Sequence, residues 1–396
     1  MNQPFKIGLL MQGGQSWIGG TEYIKNIILA LSSLSQEERE TFEVFLLFHQ
    51  SLDLDTQNQL SPYIKAFYNL ENELEPLTFI NRLKWKIQEI ISGQIYPRLS
   101  EFLRKNKFDF IYPYLISKNK KMPIQGYPWI ADFQHKYLPH LFTELEIKQR
   151  DKSFSQVAKL SSKVVLSSKS AEADFQKFFP QSKCQTKVLQ FRTSIPTNWY
   201  KLDVDTVRLK YNIPERFFLI SNQFWQHKNH LVVLKALKIL KASAICPIIV
   251  CTGHTHDYRK PDYMDIILQT IHTYGLANQI YLLGLIPRID QIQLMRCSLA
   301  VIQPSLFEGW STVVEDSRCL GKKMILSDLP VHIEQEPLES VFFERDSSEQ
   351  LANLIAEWWK NLPSGVNLEE ENLAEERNKE DVQKFGHRFL EIAKSI

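Results

Sequence analysis

The sequence predicts a doubly wound α/β protein made of two successive parallel-sheet domains. Three observations lead there. Short unbroken apolar runs alternate with longer helical patterns along the whole chain, the series restarts near Phe217 after a polar break, and 396 residues exceed one ordinary core. A strand covered on both faces reads as a continuous apolar run, and strands alternating with helices mean βαβ units.

In the first half the runs KIGLLM, FEVFLLF, FDFIYPY and KVVLSS predict strands at 6–11, 42–48, 108–114 and 163–168, with helices over 22–34 and 144–160. In the second, FFLISNQ, PIIVCTG, QIYLLG, LAVIQPS and KMILSDL predict strands at 217–223, 247–253, 279–284, 299–305 and 323–329. Helices over 231–242, 263–274, 290–297 and 313–320 separate them. A single barrel needs eight regular repeats, and the insert at 50–105 spoils that count. The stretch RTSIPTNWYKLDVD breaks both patterns. The expected division is therefore 1–195, 196–375 and a C-terminal helix at 376–396 that can cross back to the first domain. The tail from Asn367, rich in Glu and Lys, reads as a surface helix. Within the insert, INRLKWKIQEIIS (80–92) is amphipathic, with Arg82, Lys84 and Lys86 around Trp85. It suits a solvated helix packed on its domain, or a helix on a membrane surface or an acceptor lipid.

Composition narrows the function classes. An apolar content of 44% excludes wholesale disorder, and 47 basic against 45 acidic residues leave no electrostatic footprint for nucleic acid. Five scattered cysteines with no CxxC pair argue against a disulfide framework or a zinc site and suit a reducing cytoplasm. No basic leader with an apolar core opens the chain, and no run reaches the roughly 18 apolar residues that span a bilayer. The expectation is a cytoplasmic protein, peripheral at the inner face of a membrane at most.

Four segments carry candidate chemistry. PSLFEGWSTVVEDSRCL (304–320) runs from a strand end through Glu308 and Gly309 into a helix starting near Thr312. In an open α/β sheet a ligand sits outside a strand's carboxyl end facing a helix N-terminus, whose free N–H groups and dipole suit a diphosphate. Thr312-Val-Val-Glu315 has capping-box spacing, which turns Glu315 onto the backbone and leaves Glu308 and Asp316 as ligand-facing acids. SNQFWQHKNH (221–230) repeats the strand-to-helix junction, with Asn229 as N-cap and Lys228 placed to meet a phosphate. In GGQSWIGGTE (13–22), Gly19-Gly20 allows either close backbone approach to a ligand or only a turn, and the spacing is not a dinucleotide fingerprint. WIADFQHKYLP (129–139) sets Asp132, Gln134 and His135 after a strand. Asp53-Leu-Asp55 and Asp203-Val-Asp205 read as solvated loops rather than metal clamps, so neither a metal nor a cofactor is expected.

On these residues the chain resembles a glycosyltransferase of the GT-B fold, in the large retaining family four, along essentially its whole length and most specifically from Asn222 to Gln335. The family's Glu-x7-Glu signature after Pro-Ser is matched by Pro304-Ser305, Glu308 and Asp316. The resemblance implies that Glu308 meets the donor sugar and Asp316 its ribose, with Gly309, Ser311 and Thr312 in the same donor site. It implies that Lys228 holds the diphosphate together with an arginine that is here Gln223, and that Gly284-Leu285-Ile286 approach the nucleobase. Gly19 and Gly20 would face the transferred phosphate and the acceptor, and His135 would line a central cleft between the domains. Three departures stand out: Gln223 for the arginine, Asp316 for the second Glu, and Ser311 where glycine is frequent.

The implied function is metal-independent transfer of a hexose-type sugar, with retention, from a UDP- or GDP-sugar to a glycan or lipid-linked acceptor of the cell envelope. Glu308, His135 and Lys228 are the expected catalytic set. The alternatives are a nucleotide-sugar epimerase on the same fold and a non-catalytic nucleotide- or glycan-binding protein.

Overall fold

The computed structural model describes residues 3–14, 17–49, 52–74, 97–114 and 124–395. The amphipathic 80–92 segment lies outside them. The chain forms two compact units, one of Met1–Phe133, Glu144–Arg192 and Lys379–Ile396, the other of Gln134–Thr143 and Thr193–Asn378.

Among the described residues the first unit carries eight strands: β1 (Phe5–Leu10), β2 (Phe42–Phe48), β3 (Ala66–Asn69), β4 (Phe110–Tyr112), β5 (Gln125–Gly126), β6 (Trp129–Ile130), β7 (Lys163–Leu166) and β8 (Gln185–Val188). They form a five-stranded sheet in the order β3-β2-β1-β4-β5 and a three-stranded sheet β6-β7-β8, with every pairing parallel. The division falls at Tyr127-Pro128, where proline has no N–H to give a ladder. Strands β3, β5 and β8 escape the apolar-run criterion because they are short, edge-lying and only partly buried.

The second unit holds one six-stranded parallel sheet of β9 (Phe218–Ser221), β10 (Ile249–Thr252), β11 (Ile280–Gly284), β12 (Val301–Gln303), β13 (Met324–Ser327) and β14 (Val341–Phe343). Their order is β11-β10-β9-β12-β13-β14. Alternate residues feed two separate cores. Phe218, Ile220, Ile249, Cys251, Ala300, Ile302 and Ile325 pack into one, while Phe217, Leu219, Val250, Val301, Met324 and Leu326 pack into the other. A side-chain period of two with apolar residues in both phases is what covers a sheet on both faces. The helices His230–Ala242, Tyr263–Thr273, Arg288–Cys297 and Thr312–Cys319 fall within two residues of their expected bounds.

Two expectations change. The acidic tail is a helix, Leu368–Lys394, but it does not merely lie on the surface. It buries Ala374, Val382, Phe385, Phe389 and Ile392, and its Glu371 makes a deeply buried pair with Arg296 at 2.7 Å. An apolar stripe at helical spacing outweighs the acidic composition. The Asp53 and Asp203 pairs are helix starts rather than free loops: Asp53 accepts from Thr56 N at 2.8 Å and Asp203 from Asp205 N at 3.1 Å. A short carboxylate ahead of a helix satisfies an orphan N–H.

Candidate functional site

In the second unit the chain runs outward from β9 through β10 to β11, then returns to β12 on the other flank of β9. That reversal is a topological switch point, and the crevice outside the carboxyl ends of β9 and β12 is where such sheets bind ligands. Asn222 Nδ2 donates to Gln303 Oε1 at 2.6 Å, and Leu306 N donates to His227 O at 2.8 Å, fixing the two strand ends and their loops together. Gly253, after β10, completes the wall. A Cβ there would stand 2.2 Å from Asn222 O, so its glycine is required by close backbone approach.

Lys228 ends a 3₁₀ turn, Gln226–Lys228, ahead of helix His230–Ala242. Its Nζ donates to Glu308 Oε1 at 2.6 Å, with the two side chains 16% and 9% exposed. The same carboxylate oxygen accepts from Ser305 Oγ at 2.7 Å and Gln303 Nε2 at 2.9 Å. The structure thus brings Lys228 and Glu308, 80 positions apart, into one ion pair at the switch point. Asn229 occupies the N-cap position in a left-handed conformation, yet its side chain caps nothing; its Nδ2 donates to Arg345 O at 3.0 Å. The expected cap is corrected because a left-handed residue aims its side chain away from the first turn. Nearby, His332 is wholly buried, with Nδ1 3.0 Å from Ser327 O. Burial chiefly, and secondly the Glu308 charge acting in the opposite sense, set its pKa at about 4. It is neutral at pH 7.

The start of helix Thr312–Cys319 differs by one residue from the capping-box expectation. Ser311 is the cap, its Oγ accepting from Val314 N at 3.4 Å, because its backbone is extended whereas Thr312 is already helical. Glu315 therefore does not turn back onto the backbone. It accepts from Gln335 Nε2 at 2.8 Å and Arg318 at 3.1 Å, and Gln335 in turn clasps both Ser311 N and Ser311 O. Asp316 was expected to face a ligand directly. Instead both its oxygens accept from one guanidinium, Arg288 Nη1 at 2.6 Å and Nη2 at 2.5 Å, and its side chain is 1% exposed. A carboxylate in the second turn, pointing under the helix, reaches the neighbouring helix start before it reaches solvent.

Sequence reasoning also missed a buried clamp in the β10 loop. Asp257 Oδ2 accepts from Gln226 N at 3.0 Å, and Oδ1 accepts from Arg259 N and Nε. Arg259 lies 4.6 Å from the centre of the Trp225 ring and bonds His227 Nδ1 at 3.1 Å. Burial foremost, then the Lys228 and Arg259 charges, holds His227 well below the usual imidazole range, so the neutral Nδ1 can accept. The clamp fixes the turn that carries Lys228. Its only sequence signal is position, a polar loop following a strand of the same sheet.

The other candidates are more dispersed. Gln223 sits in the β9 loop with its carbonyl accepting from Trp225 N at 2.7 Å. Gly284 ends β11 at φ +67 with open space around it, Leu285 is exposed, and Ile286 packs partly on the core. These three lie two strands from β9. Gly309 lies in the β12 loop between Glu308 and the buried Trp310. His135 is buried on the short helix Gln134–Tyr137 and meets Phe142 edge-on; Gln134 accepts from Arg259 at 3.1 Å, and Tyr137 stacks on Phe307 at 5.5 Å. In the first unit, Gly19 and Gly20 form the first turn of helix Ile18–Ser32. A Cβ on Gly20 would lie 2.8 Å from the Trp17 ring, which stacks on Trp129 at 5.6 Å. Among the described residues no group of three or more His, Cys, Asp or Glu side chains is arranged to hold a metal ion.

Residues 204–380 match the family described as glycosyl transferases group 1. No curated protein matches the chain. Solved structures do: HepE of Anabaena in complex with UDP and glucose aligns with a TM-score of 0.67 at 17% identity, over 99% of this chain and 100% of that one. A glycosyltransferase from Rickettsia africae gives 0.65 at 14% identity, covering 99% and 98%. Sucrose-phosphate synthase of Thermosynechococcus elongatus gives 0.64 at 14% identity, covering 98% and 97%. The fold is GT-B, with two Rossmann-like α/β domains.

Proposed function

We propose that the chain is a glycosyltransferase whose second unit binds a UDP- or GDP-linked hexose and whose first unit serves a glycan or lipid-linked acceptor. The observation that carries this reading is the Lys228–Glu308 pair beside the Ser311-capped helix start, at the switch point of a parallel sheet. The family match over 204–380 and the UDP held by the Anabaena relative support it.

Lys228 supplies one mobile cation to the diphosphate, and the N–H groups of Thr312 and Val313, which lack acceptors within their helix, supply oriented dipoles. Both favour charge developing on the leaving phosphate, and the N–H dipoles are already oriented before reaction. Glu308, held by Ser305 and Gln303, presents its carboxylate to hydroxyls of the donor sugar. The acceptor hydroxyl attacks the anomeric carbon on the leaving-group face. The carbon–oxygen bond to phosphate breaks, the new glycosidic bond forms, and the hydroxyl proton passes to the departing phosphate oxygen. Configuration is retained without a protein nucleophile. His135, on the short helix Gln134–Tyr137, remains assigned to the catalytic set, and Gly19-Gly20 to the acceptor side. The diphosphate needs no metal in this scheme. A cell-envelope role, a cytoplasmic site of action and peripheral membrane contact belong to the same proposal.

The test is a thermal-shift series with UDP, GDP and their hexose conjugates, since a ligand at 100 times its Kd raises stability by about 2.7 kcal/mol. Turnover of the stabilising donor is then followed by anomeric proton NMR in excess EDTA. No shift with any nucleotide overturns the reading. Activity lost to EDTA and restored by manganese overturns its metal-independent mechanism.

A further inference from the structure

We infer that Gln134 and Tyr137 are positioning residues, which together hold both partners of the Lys228–Glu308 pair in place from one turn of helix. The inference rests on the glycosyltransferase reading above for the ligand that the pair meets, whereas the contacts that make the hold are independent of it.

The helix Gln134–Tyr137 is a single turn, so its first and last residues, spaced i and i+3, share one face. They meet two different loops of the second unit. Gln134, itself buried, accepts through Oε1 from Arg259 Nη1 at 3.1 Å. Tyr137 stacks on Phe307 with ring centres 5.5 Å apart and planes 30° from parallel. Arg259 belongs to the loop after β10, and Phe307 to the loop after β12, immediately before Glu308. Phe142, near the far end of the same segment, adds a second hold on Arg259, its ring centre 5.6 Å from the guanidinium.

These contacts close into a ring. Arg259 Nη2 donates to His227 Nδ1 at 3.1 Å, and His227 O accepts from Leu306 N at 2.8 Å. Leu306 leads into Phe307, which returns to Tyr137. Lys228 follows His227 and Glu308 follows Phe307, so the two partners of the 2.6 Å ion pair branch from the ring at neighbouring points. A closed circuit restrains its members more than an open chain does, because no link can turn without straining the others. The Arg259 link is stiff: its side chain is 4% exposed, and the wholly buried Asp257 takes its Nε. Removing the Gln134 acceptor leaves Nη1 short of a partner, and a buried donor in that state draws the guanidinium out of place. The chain enters the segment from Phe133 and leaves it at Glu144, both of the first unit, while Gln134–Thr143 packs in the second. The geometry of the pair is thereby tied to a stretch of chain whose flanks belong to the other unit.

The experiment uses the full chain with isotope-labelled histidine and reads the imidazole nitrogen signals of His227 by NMR, assigned by their loss in His227→Asn. Calorimetric titration with UDP and GDP runs beside it. Gln134→Met and Tyr137→Ala should each shift the His227 signals and weaken whichever nucleotide the wild type binds by about two- to thirtyfold, the span exerted by residues that act through others. Gln134→Glu keeps an acceptor for Arg259 and Tyr137→Phe keeps the ring, so both should retain wild-type signals and an affinity within about twofold. The double variant Gln134→Met/Tyr137→Ala should weaken binding by less than the product of the two single losses, because either break opens the same ring. Losses that multiply in full, or conservative variants that fare as badly as the disruptive ones, overturn the assignment. Wild-type signals and affinity in both Gln134→Met and Tyr137→Ala also overturn it, while the glycosyltransferase reading stands. If the wild type binds neither nucleotide, that reading falls, and the His227 signals by themselves decide whether the two residues position the loops.

Discussion

Replacing Lys228 with alanine separates the two tasks its position implies. The ammonium makes a 2.6 Å ion pair with Glu308, whose side chain is 9% exposed. Breaking a buried pair from one side costs about 3–5 kcal/mol, because the remaining charge is left without its partner. Here Glu308 retains Ser305 Oγ and Gln303 Nε2 as donors, each contributing about 1 kcal/mol, and Lys228 is itself 16% exposed. The expected loss is about 2 kcal/mol, or about 4–8 °C in Tm for a domain of this size. Nucleoside-diphosphate affinity should fall by about 1.5–3 kcal/mol in the same variant, roughly ten- to a hundredfold. The double variant Lys228→Ala/Glu308→Gln tells these effects apart. It removes the orphaned charge, so Tm should return to within about 2 °C of wild type, while affinity stays low. Differential scanning calorimetry and titration with UDP and GDP measure the pair of quantities. Unchanged affinity in Lys228→Ala would refute the phosphate assignment. Affinity that recovers together with Tm in the double variant would show that the single change acted only by disordering the loop.

Three further outcomes are expected. Asp316→Ala and Glu315→Ala should both lower the unfolding free energy in urea titration, by about 1–3 kcal/mol each, since each removes a buried carboxylate that accepts two hydrogen bonds; a wild-type midpoint for Asp316→Ala would mean that the Arg288 pair does not form in solution. Gly20→Val should displace the Trp17 ring, 2.8 Å from the new Cβ, and change near-ultraviolet circular dichroism and turnover while UDP or GDP affinity holds; an unaltered spectrum with normal turnover removes the loop from the mechanism. His230, stacked on Phe224 at 4.3 Å with burial holding its pKa near about 3, stays neutral when folded, whereas the unfolded imidazole protonates around pH 6.5. Its contribution to stability is complete above about pH 6.5 and is lost as pH falls toward its folded value, because the unfolded state binds the extra proton. His230→Phe should therefore flatten the decline in urea midpoint between about pH 7 and pH 5; an identical slope in variant and wild type counts against a neutral buried imidazole.

The sequence by itself determined the architecture of the second unit almost completely. Five of its six strands are apolar runs long enough to be buried on both faces, and β14 was missed because Val341–Phe343 is an edge strand with only Phe343 buried. It also identified the polar loops at the carboxyl ends of β9 and β12, because a strand followed at once by Lys228 or Glu308 and then by a helix is a local pattern. It did not determine what those side chains touch. Thr312 and Ser311 are both acceptable caps by residue type, and only the backbone angles at Ser311 decide between them. Asp316 finds Arg288 28 positions away, and Lys228 finds Glu308 80 positions away. The clamp of Asp257 and Arg259 onto Gln226 and His227 joins the loops of two adjacent strands. Local propensity and periodicity are set within a few residues, so they can be read from the chain. Which carboxylate faces the crevice and which is taken by a neighbouring cation depends on how the sheet order brings distant loops together, and that was decided by the tertiary structure.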